Sequence, residues 1–116
     1  MNRRIVVLVR QAGLGHVAPA DAQFGTEMLD RFLHSLEARP VKPQAVCFYT
    51  EGVKLVCQGS SVVESLKLLE GMGVRVAACG TCLDYFGLRD QVAVGEVIGM
   101  NEIVAMLMEA DLVLTV

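Results

Sequence analysis

The stretch VRVAACGTCLDYFGL, residues 74–88, combines a strand signal with a pair of cysteines. Its apolar, β-branched start predicts a buried strand over Val74–Ala78. Cys79 and Cys82 follow three positions apart, and a short helix or turn is predicted over Leu83–Leu88. A thiol pair directly after a buried strand makes this stretch decisive for both the fold and the chemistry.

Apolar runs of the same kind recur along the chain and predict further strands at Arg4–Val9, Ala45–Tyr49, Val92–Val97 and Leu112–Val116. Between them, apolar residues at helical spacing predict helices within 24–36, 62–69 and 103–107. The expected N-terminal caps are Asp21, a capping box formed by Ser61 and Glu64, and Asn101. A short extended piece is predicted at Val53–Val56. Strands that alternate with helices predict a parallel sheet covered by helices on both faces, within a single α/β domain spanning residues 1–116.

The predicted topology concentrates the polar and sulfur-bearing loops at one edge of the sheet. Right-handed crossovers place every strand-to-helix loop at the carboxyl ends of the strands, where open α/β sheets form their sites. Three loops meet there: Gln11–Ala20, Thr50–Ser60 and Cys79–Phe86. They contain four candidate residues, namely His16, Cys57, Cys79 and Cys82. Cys47 lies inside a predicted strand and is interpreted as a core residue.

Composition excludes several classes of function. The 116 residues carry a net charge of −3 with a pI near 5.3 and show no basic cluster, which argues against a nucleic-acid partner. The apolar run Ile5–Val9 is shorter than an export signal requires, and no run approaches the roughly 18 apolar residues of a membrane span. We therefore expect a cytoplasmic protein without a membrane partner, whose cysteines stay reduced for catalysis or metal binding.

Cys79 stands where the buried strand is expected to end and a turn or helix to begin. The backbone N–H groups of Gly80, Thr81 and Cys82 are expected to point toward its sulfur and to stabilise a thiolate. Gly80 is also expected to leave room for a second sulfur. This position suits a nucleophilic sulfur, although two inert core cysteines are the simpler interpretation, since free cysteine is among the most buried residue types.

Other residues allow competing interpretations of the site. His16 is a candidate base or hydrogen-bond donor, and Lys54 is a candidate stabiliser of a thiolate or persulfide anion. A solvated histidine and an exposed lysine are the simpler readings of these two. A zinc site would need His16 and Cys57 to join the cysteine pair, because structural zinc takes four ligands. A thioredoxin-type dithiol remains open as well, without the surrounding aromatic residues and proline typical of that motif.

At this point the sequence resembles a known family. The segment EGVKLVCQGSSVVESLKLLEGMGVRVAACGTCLDYFGL, residues 51–88, resembles the DsrE/DsrF-like superfamily. It is closest to the DsrE-like domain of the YedF selenium-metabolism proteins, in which a GVKL segment and a CGTCLD motif stand at the same places. The early segment FGTEMLDRFLHSL, residues 24–36, is similar to the first helix of that family. The resemblance covers nearly the whole chain.

The resemblance implies a three-layer α/β/α fold with a five-stranded parallel sheet. It also implies that Cys79, by its distance from Gly87, is the cysteine that carries a persulfide in a sulfur relay. Many relatives have arginine where Phe86 stands, and the branch often has asparagine where Thr50 stands. YedF proteins carry a TusA-like domain that this chain lacks, so the donor is expected to be a separate protein, such as a TusA-like protein. A homo-oligomer, trimeric or hexameric, is also implied.

These arguments lead to one hypothesis and two rivals. The leading hypothesis is a sulfurtransferase-like carrier of sulfur or selenium that uses Cys79, with Cys82 as a resolving or supporting thiol and with contacts from Gly80 and Thr81. Neither a cofactor nor a bound metal is expected. The rivals are a non-catalytic oligomeric binding module and a zinc- or redox-responsive thiol protein. Cys79 is predicted to be the more reactive thiol.

Overall fold

A computed structural model describes residues 3–116 of the chain. It contains five strands: β1 (Ile5–Val9), β2 (Ala45–Phe48), β3 (Arg75–Cys79), β4 (Glu96–Ile98) and β5 (Leu112–Thr115). Its four α-helices are α1 (Ala22–Glu37), α2 (Val63–Gly71), α3 (Gly80–Tyr85) and α4 (Met100–Glu109). Short 3₁₀ segments cover Pro19–Asp21, Thr50–Val56 and Arg89–Gln91.

All five strands run parallel in the order β4-β3-β2-β1-β5. The first three connections step across the sheet in one direction, and the last connection steps back to its opposite edge. Because parallel crossovers are right-handed, α1, α2 and α3 lie on one face of the sheet and α4 lies on the other. The predicted three-layer α/β fold with a five-stranded parallel sheet is therefore confirmed.

The fourth strand was predicted too early. It occupies Glu96–Ile98 rather than Val92–Val97, because the preceding apolar residues pair with another segment. Val92 forms an antiparallel bridge with Cys57, and Ala93 donates its backbone N–H to the Val56 carbonyl at 2.8 Å. Gly95 then turns the chain into β4 with φ of 85°, and a Cβ there would lie 2.8 Å from the Val76 carbonyl oxygen. This turn accepts only glycine without strain.

The predicted helix starts were also wrong in detail. Asp21 directly precedes α1 as predicted, but its side chain makes no capping hydrogen bond. The residues that precede α2 and α4 are Val62 and Gly99 instead of Ser61 and Asn101. Helix α3 begins at Gly80, three residues before the predicted Leu83, and Val53–Val56 is part of a 3₁₀ segment rather than extended chain. These ends are set by packing against the sheet, which local cap signals do not report.

The core between the layers is aliphatic, and Cys47 belongs to it as predicted. Strand β2 is buried along its whole length, and Cys47 is 0% exposed. Burial raises the pKa of the Cys47 thiol to about 11; the nearby Arg75 guanidinium opposes this shift, and the Glu96 and Glu102 carboxylates add to it. The thiol therefore stays neutral inside the protein at a pH where an exposed cysteine is largely ionised.

This burial predicts an alkaline loss of stability that depends on Cys47. The contribution is complete below pH 9.0, the ordinary value, and is lost as the pH rises to about 11, because only the unfolded chain ionises in that window. We expect the Cys47→Ala variant to be less stable at about pH 8 through loss of packing, yet to lose about 2 kcal/mol less than wild type by about pH 10.5. Urea unfolding at the two pH values measures the difference; a parallel decline in both proteins would contradict it.

Candidate functional site

Cys79 is the last residue of β3 and immediately precedes α3. Side chains alternate along a strand, so Cys79 shares a sheet face with Ala77 and Arg75, whose guanidinium contacts the Met106 sulfur of α4 at 3.4 Å. Cys79 is 1% exposed, and its side chain accepts no capping hydrogen bond from the helix. The expectation that the N–H groups of α3 bind this sulfur was therefore wrong: the alternation of the strand assigns the side chain to the face of the sheet that carries α4.

Cys82 lies one turn further along and is half-buried. Its sulfur accepts the backbone N–H of Thr50, which follows the neighbouring strand β2, with a nitrogen–sulfur distance of 3.0 Å. Burial raises the pKa of Cys82, the Thr50 N–H lowers it, and the hydrogen bond and charge of the adjacent Cys79 raise it again. The Thr50 N–H is thus the contact that favours the ionised form of Cys82.

Thr50 was missed as a site residue by the sequence argument. Its φ of 48° is the only positive φ of a residue other than glycine within residues 3–116. The Thr50 hydroxyl donates to the Arg10 carbonyl at 2.8 Å, and the Gly52 N–H donates to the Tyr49 carbonyl at 3.0 Å. A threonine gives no sequence signal for this left-handed conformation, which β-branched residues rarely adopt. The position of this loop after β2, and the asparagine that the related branch often has where Thr50 stands, were the signals that pointed to this segment.

The space beside Gly80 is taken by an arginine rather than by a second sulfur. A Cβ on Gly80 would lie 2.7 Å from Nη2 of Arg89 and 3.1 Å from Val97. Asp84 holds the Arg89 guanidinium in a two-pronged ion pair, with nitrogen–oxygen distances of 2.7 and 2.9 Å. Because Gly80 has no side chain, the Arg89 guanidinium can lie against the start of α3. Arg89 lay outside the three loops from which candidates were drawn, so the sequence argument overlooked it.

Two further candidate residues, Lys54 and Thr81, lie beside and within helix α3. The Lys54 ammonium lies over the Phe86 ring, 4.6 Å from its centroid, in a cation–π contact. Phe86 and Cys82 are four residues apart and share one side of the helix. A cation thus stands beside Phe86, where the resemblance had implied an arginine. Thr81 is exposed to solvent.

His16 is placed in a separate cleft. A hydrogen bond of 3.3 Å joins its Nδ1 to Gln11, and both residues line a cleft of about 310 Å³ together with Glu51 and small residues of the first loop. Neither cysteine of the pair lines this cleft. Glu51 follows Thr50 directly, so the cleft adjoins the segment that binds Cys82, but the structure does not bring the imidazole into contact with the sulfurs.

The four residues of the zinc interpretation are not assembled. Within residues 3–116, no three histidine, cysteine, aspartate or glutamate side chains converge as metal ligands. Cys57 is buried and its thiol donates to the Val53 carbonyl at 3.4 Å, within its own 3₁₀ segment. None of the helices in the described part of the chain has the length and apolar character needed to cross a membrane.

Comparison with known proteins settles the family. The sequence model of the DsrE/DsrF-like family matches residues 18–116. This range includes the thiol pair and the Thr50 segment. The chain belongs to the DsrE/DsrF-like family. No curated protein matches the sequence.

Solved structures share the DsrE/DsrF-like fold over their full lengths. The YchN protein of E. coli matches with a TM-score of 0.67 and 18% identity, covering 98% of this chain and 99% of its own. MTH1491 of Methanobacterium thermoautotrophicum, a protein of unknown function, gives 0.66 and 20% identity over 99% and 100%. BT1422 of Bacteroides thetaiotaomicron, also of unknown function, gives 0.66 and 19% over 97% and 94%. At these identities the likeness establishes the fold alone.

Proposed function

We propose that this protein carries sulfane sulfur as a persulfide on the Cys79–Cys82 pair, with Cys79 as the carrier and Cys82 as its partner thiol. The observation that carries the proposal is the placement of both thiols at the carboxyl end of β3, with a backbone N–H bound to the Cys82 sulfur at 3.0 Å. Membership of the DsrE/DsrF-like family, which is associated with sulfur relay, supports it.

Loading is a thiolate displacement. The Cys79 thiolate attacks the terminal sulfane sulfur of a polysulfide or of a donor persulfide; the sulfur–sulfur bond of the donor breaks, and the donor sulfur leaves with the electron pair. Burial raises the pKa of Cys82, and its neighbour Cys79 adds to this, so the proposal assigns Cys82 as the partner thiol rather than as the attacking sulfur. Sulfur arrives already oxidised, so loading needs no further oxidant.

Intact mass spectrometry tests the carrier function. The protein is incubated anaerobically with inorganic polysulfide, desalted and measured without reductant. A carrier gains the mass of one sulfur atom, which a reductant removes. A variant in which both Cys79 and Cys82 are serine is the control for loading at Cys47 and Cys57. Absence of any mass gain in both the wild-type protein and the Cys82→Ser variant would refute the carrier and leave the binding module as the better description.

The proposal includes two kinds of partner. The donor is a separate protein, such as a TusA-like protein, and copies of this chain associate as a trimer or hexamer. The exposed face of α4 supports association, because Met100, Val104 and Met108 recur every four residues and are 42%, 47% and 80% exposed. An apolar stripe of this kind is typical of a protein–protein contact.

We expect the double substitution Val104→Glu and Met108→Glu to dissociate the oligomer, because it places two charges in the proposed contact. Light scattering coupled to gel filtration measures the mass of the particle. Leu68→Glu on α2 is the matched control, since Leu68 is 43% exposed but lies on the other side of the sheet. A monomeric wild-type protein, or a double variant of unchanged mass, would contradict the proposed contact.

A further inference from the structure

The segment beside the thiol pair is held in an unfavourable backbone conformation. Thr50 has φ of 48°, in the left-handed region that β-branched residues rarely adopt. Its hydroxyl is tied to the Arg10 carbonyl at 2.8 Å, and the backbone at Gly52 packs against the end of β1, with the Cβ position of Gly52 2.3 Å from the Val9 carbonyl oxygen. In this conformation, the backbone N–H of Thr50 donates a hydrogen bond to the Cys82 sulfur.

A donor at this place favours negative charge on Cys82. A backbone N–H that binds a sulfur stabilises the thiolate more than the thiol, because hydrogen bonds to an ionised acceptor are the stronger ones. The Thr50 N–H lowers the pKa of Cys82 against the effect of burial. Among the hydrogen bonds of residues 3–116, the core thiols Cys47 and Cys57 accept no backbone N–H. Cys82 therefore differs from the thiols that only fill the core.

The carrier sulfur itself is poorly reachable from outside. Cys79 is 1% exposed, whereas Cys82 is half-buried and lies one helical turn away. Residues three apart on a helix have Cβ atoms about 5–6 Å apart, and a disulfide needs about 3.5–4.5 Å. Cys79 precedes the helix with extended backbone angles of −68° and 120°, so regular helical spacing does not fix its separation from Cys82. An internal nucleophile reaches a sulfur on Cys79 more readily than an external acceptor does.

We infer that Cys82, supported by the Thr50 N–H, is a built-in resolving nucleophile that discharges the Cys79 persulfide as hydrosulfide. The inference rests on the proposed carrier function and adds its product. The Cys82 thiolate attacks Sγ of Cys79 in the protonated persulfide, and a bond forms between the two cysteine sulfurs. The bond to the outer sulfur breaks, and that sulfur leaves as HS⁻ with the electron pair and its own proton. The sulfane sulfur is reduced and the two thiols are oxidised to a disulfide, so no outside oxidant or reductant takes part.

Thr50 is then a positioning residue for the discharge step. The Thr50→Val substitution keeps the shape of the side chain but removes the hydroxyl bond that ties the left-handed conformation to Arg10. Loss of a hydrogen bond to a charged group slows the step by about tenfold or more. It also moves the pH profile of discharge upward, because the Thr50 N–H lowers the pKa of Cys82. Thr50→Ser retains the hydroxyl and is expected to restore both rate and profile.

The experiment follows one turnover of polysulfide-loaded, desalted protein under anaerobic conditions without added thiol. Trapping with bromobimane measures sulfide, and intact mass measures the protein. We expect one equivalent of sulfide, and a final mass lower than that of the unloaded protein by two hydrogen atoms. Cys82→Ser should load and release none. In the wild-type protein, the Thr50 amide proton should shift in NMR spectra as Cys82 titrates.

The outcomes separate the two proposals. Failure of both the wild-type protein and the Cys82→Ser variant to gain sulfur refutes the carrier function itself. Loading without release of sulfide, release that persists in Cys82→Ser, or sulfur that moves to Cys82 with the mass unchanged overturns the discharge. If the Thr50→Val variant is folded and discharges with the wild-type rate and pH profile, Thr50 has no positioning role. If that variant does not fold, the wild-type protein tests the same claim. A chemical shift of the Thr50 amide proton that stays constant as Cys82 ionises overturns it.

Discussion

The Cys79→Ser variant is expected to gain no sulfur from inorganic polysulfide, while Cys82→Ser still gains one atom at a reduced rate. Serine replaces the nucleophilic sulfur with a hydroxyl that does not ionise at neutral pH, so the loss at Cys79 should be complete. Loss of Cys82 removes a neighbour whose thiol interacts with Cys79 but leaves the attacking atom in place. Intact mass after desalting, followed over time for both variants, measures the difference.

The burial of Cys79 determines which sulfur donor is suitable for this experiment. With 1% of the residue exposed, a small inorganic polysulfide is the appropriate donor, because a bulky reagent reports access rather than nucleophilicity. Alkylation of each single variant across the pH range supplies the second readout. Cys82 is expected to react only at alkaline pH in the wild-type protein, since burial and Cys79 raise its pKa.

Two results would reverse the assignment. If Cys79→Ser still takes up sulfur and Cys82→Ser does not, then the half-buried Cys82 is the carrier. If neither thiol reacts until the protein unfolds, both cysteines are core residues and the carrier function fails. Far-UV circular dichroism of both variants confirms that each comparison is made on folded protein.

The Gly52→Ala substitution is expected to lower the free energy of unfolding by about 3 kcal/mol or more, the upper range for overpacking a buried site. Gly52 is buried in the 3₁₀ segment, and a Cβ there would lie 2.3 Å from the carbonyl oxygen of Val9 and 3.0 Å from its carbonyl carbon. Both atoms belong to the backbone of β1, so relief requires the segment to move away from the sheet. Alanine has the better helix propensity by about 1 kcal/mol, which is too little to offset the clash.

Urea unfolding of Gly52→Ala beside Gly71→Ala measures this effect. Gly71 is the last residue of α2, and a Cβ there meets no atom within 4 Å. The control substitution is therefore expected to be neutral or slightly stabilising. Equal stability of the two variants would show that the contact between the 3₁₀ segment and β1 is looser than the structure has it. A folded Gly52→Ala protein should also lose part of the Thr50 contact with Cys82, since the two residues share the segment.

Much of the fold was predictable because it rests on short-range patterns. Continuous apolar runs predicted β1, β2, β3 and β5 to within one residue at each end. Strands buried on both faces of a parallel sheet have continuous apolar sequences, whereas half-exposed strands alternate apolar and polar residues. The prediction of β4 failed at Val92 and Ala93, whose apolar side chains are equally compatible with a strand and with packing against the Val56 segment. Within the predicted helix 103–107, the apolar Val104 is 47% exposed, while Met106 is buried.

The candidate site divides in the same way. By itself, the sequence determined that an α/β domain with a parallel sheet forms and that Cys79 and Cys82 follow its third strand, because hydrophobic periodicity and chain order are local properties. Only the tertiary structure decided which contacts these sulfurs make. The Thr50 N–H reaches Cys82 across 32 residues of chain, and Arg89 fills the space beside Gly80. Such contacts depend on strand order and on a strained φ at Thr50, and neither leaves a pattern in neighbouring residues.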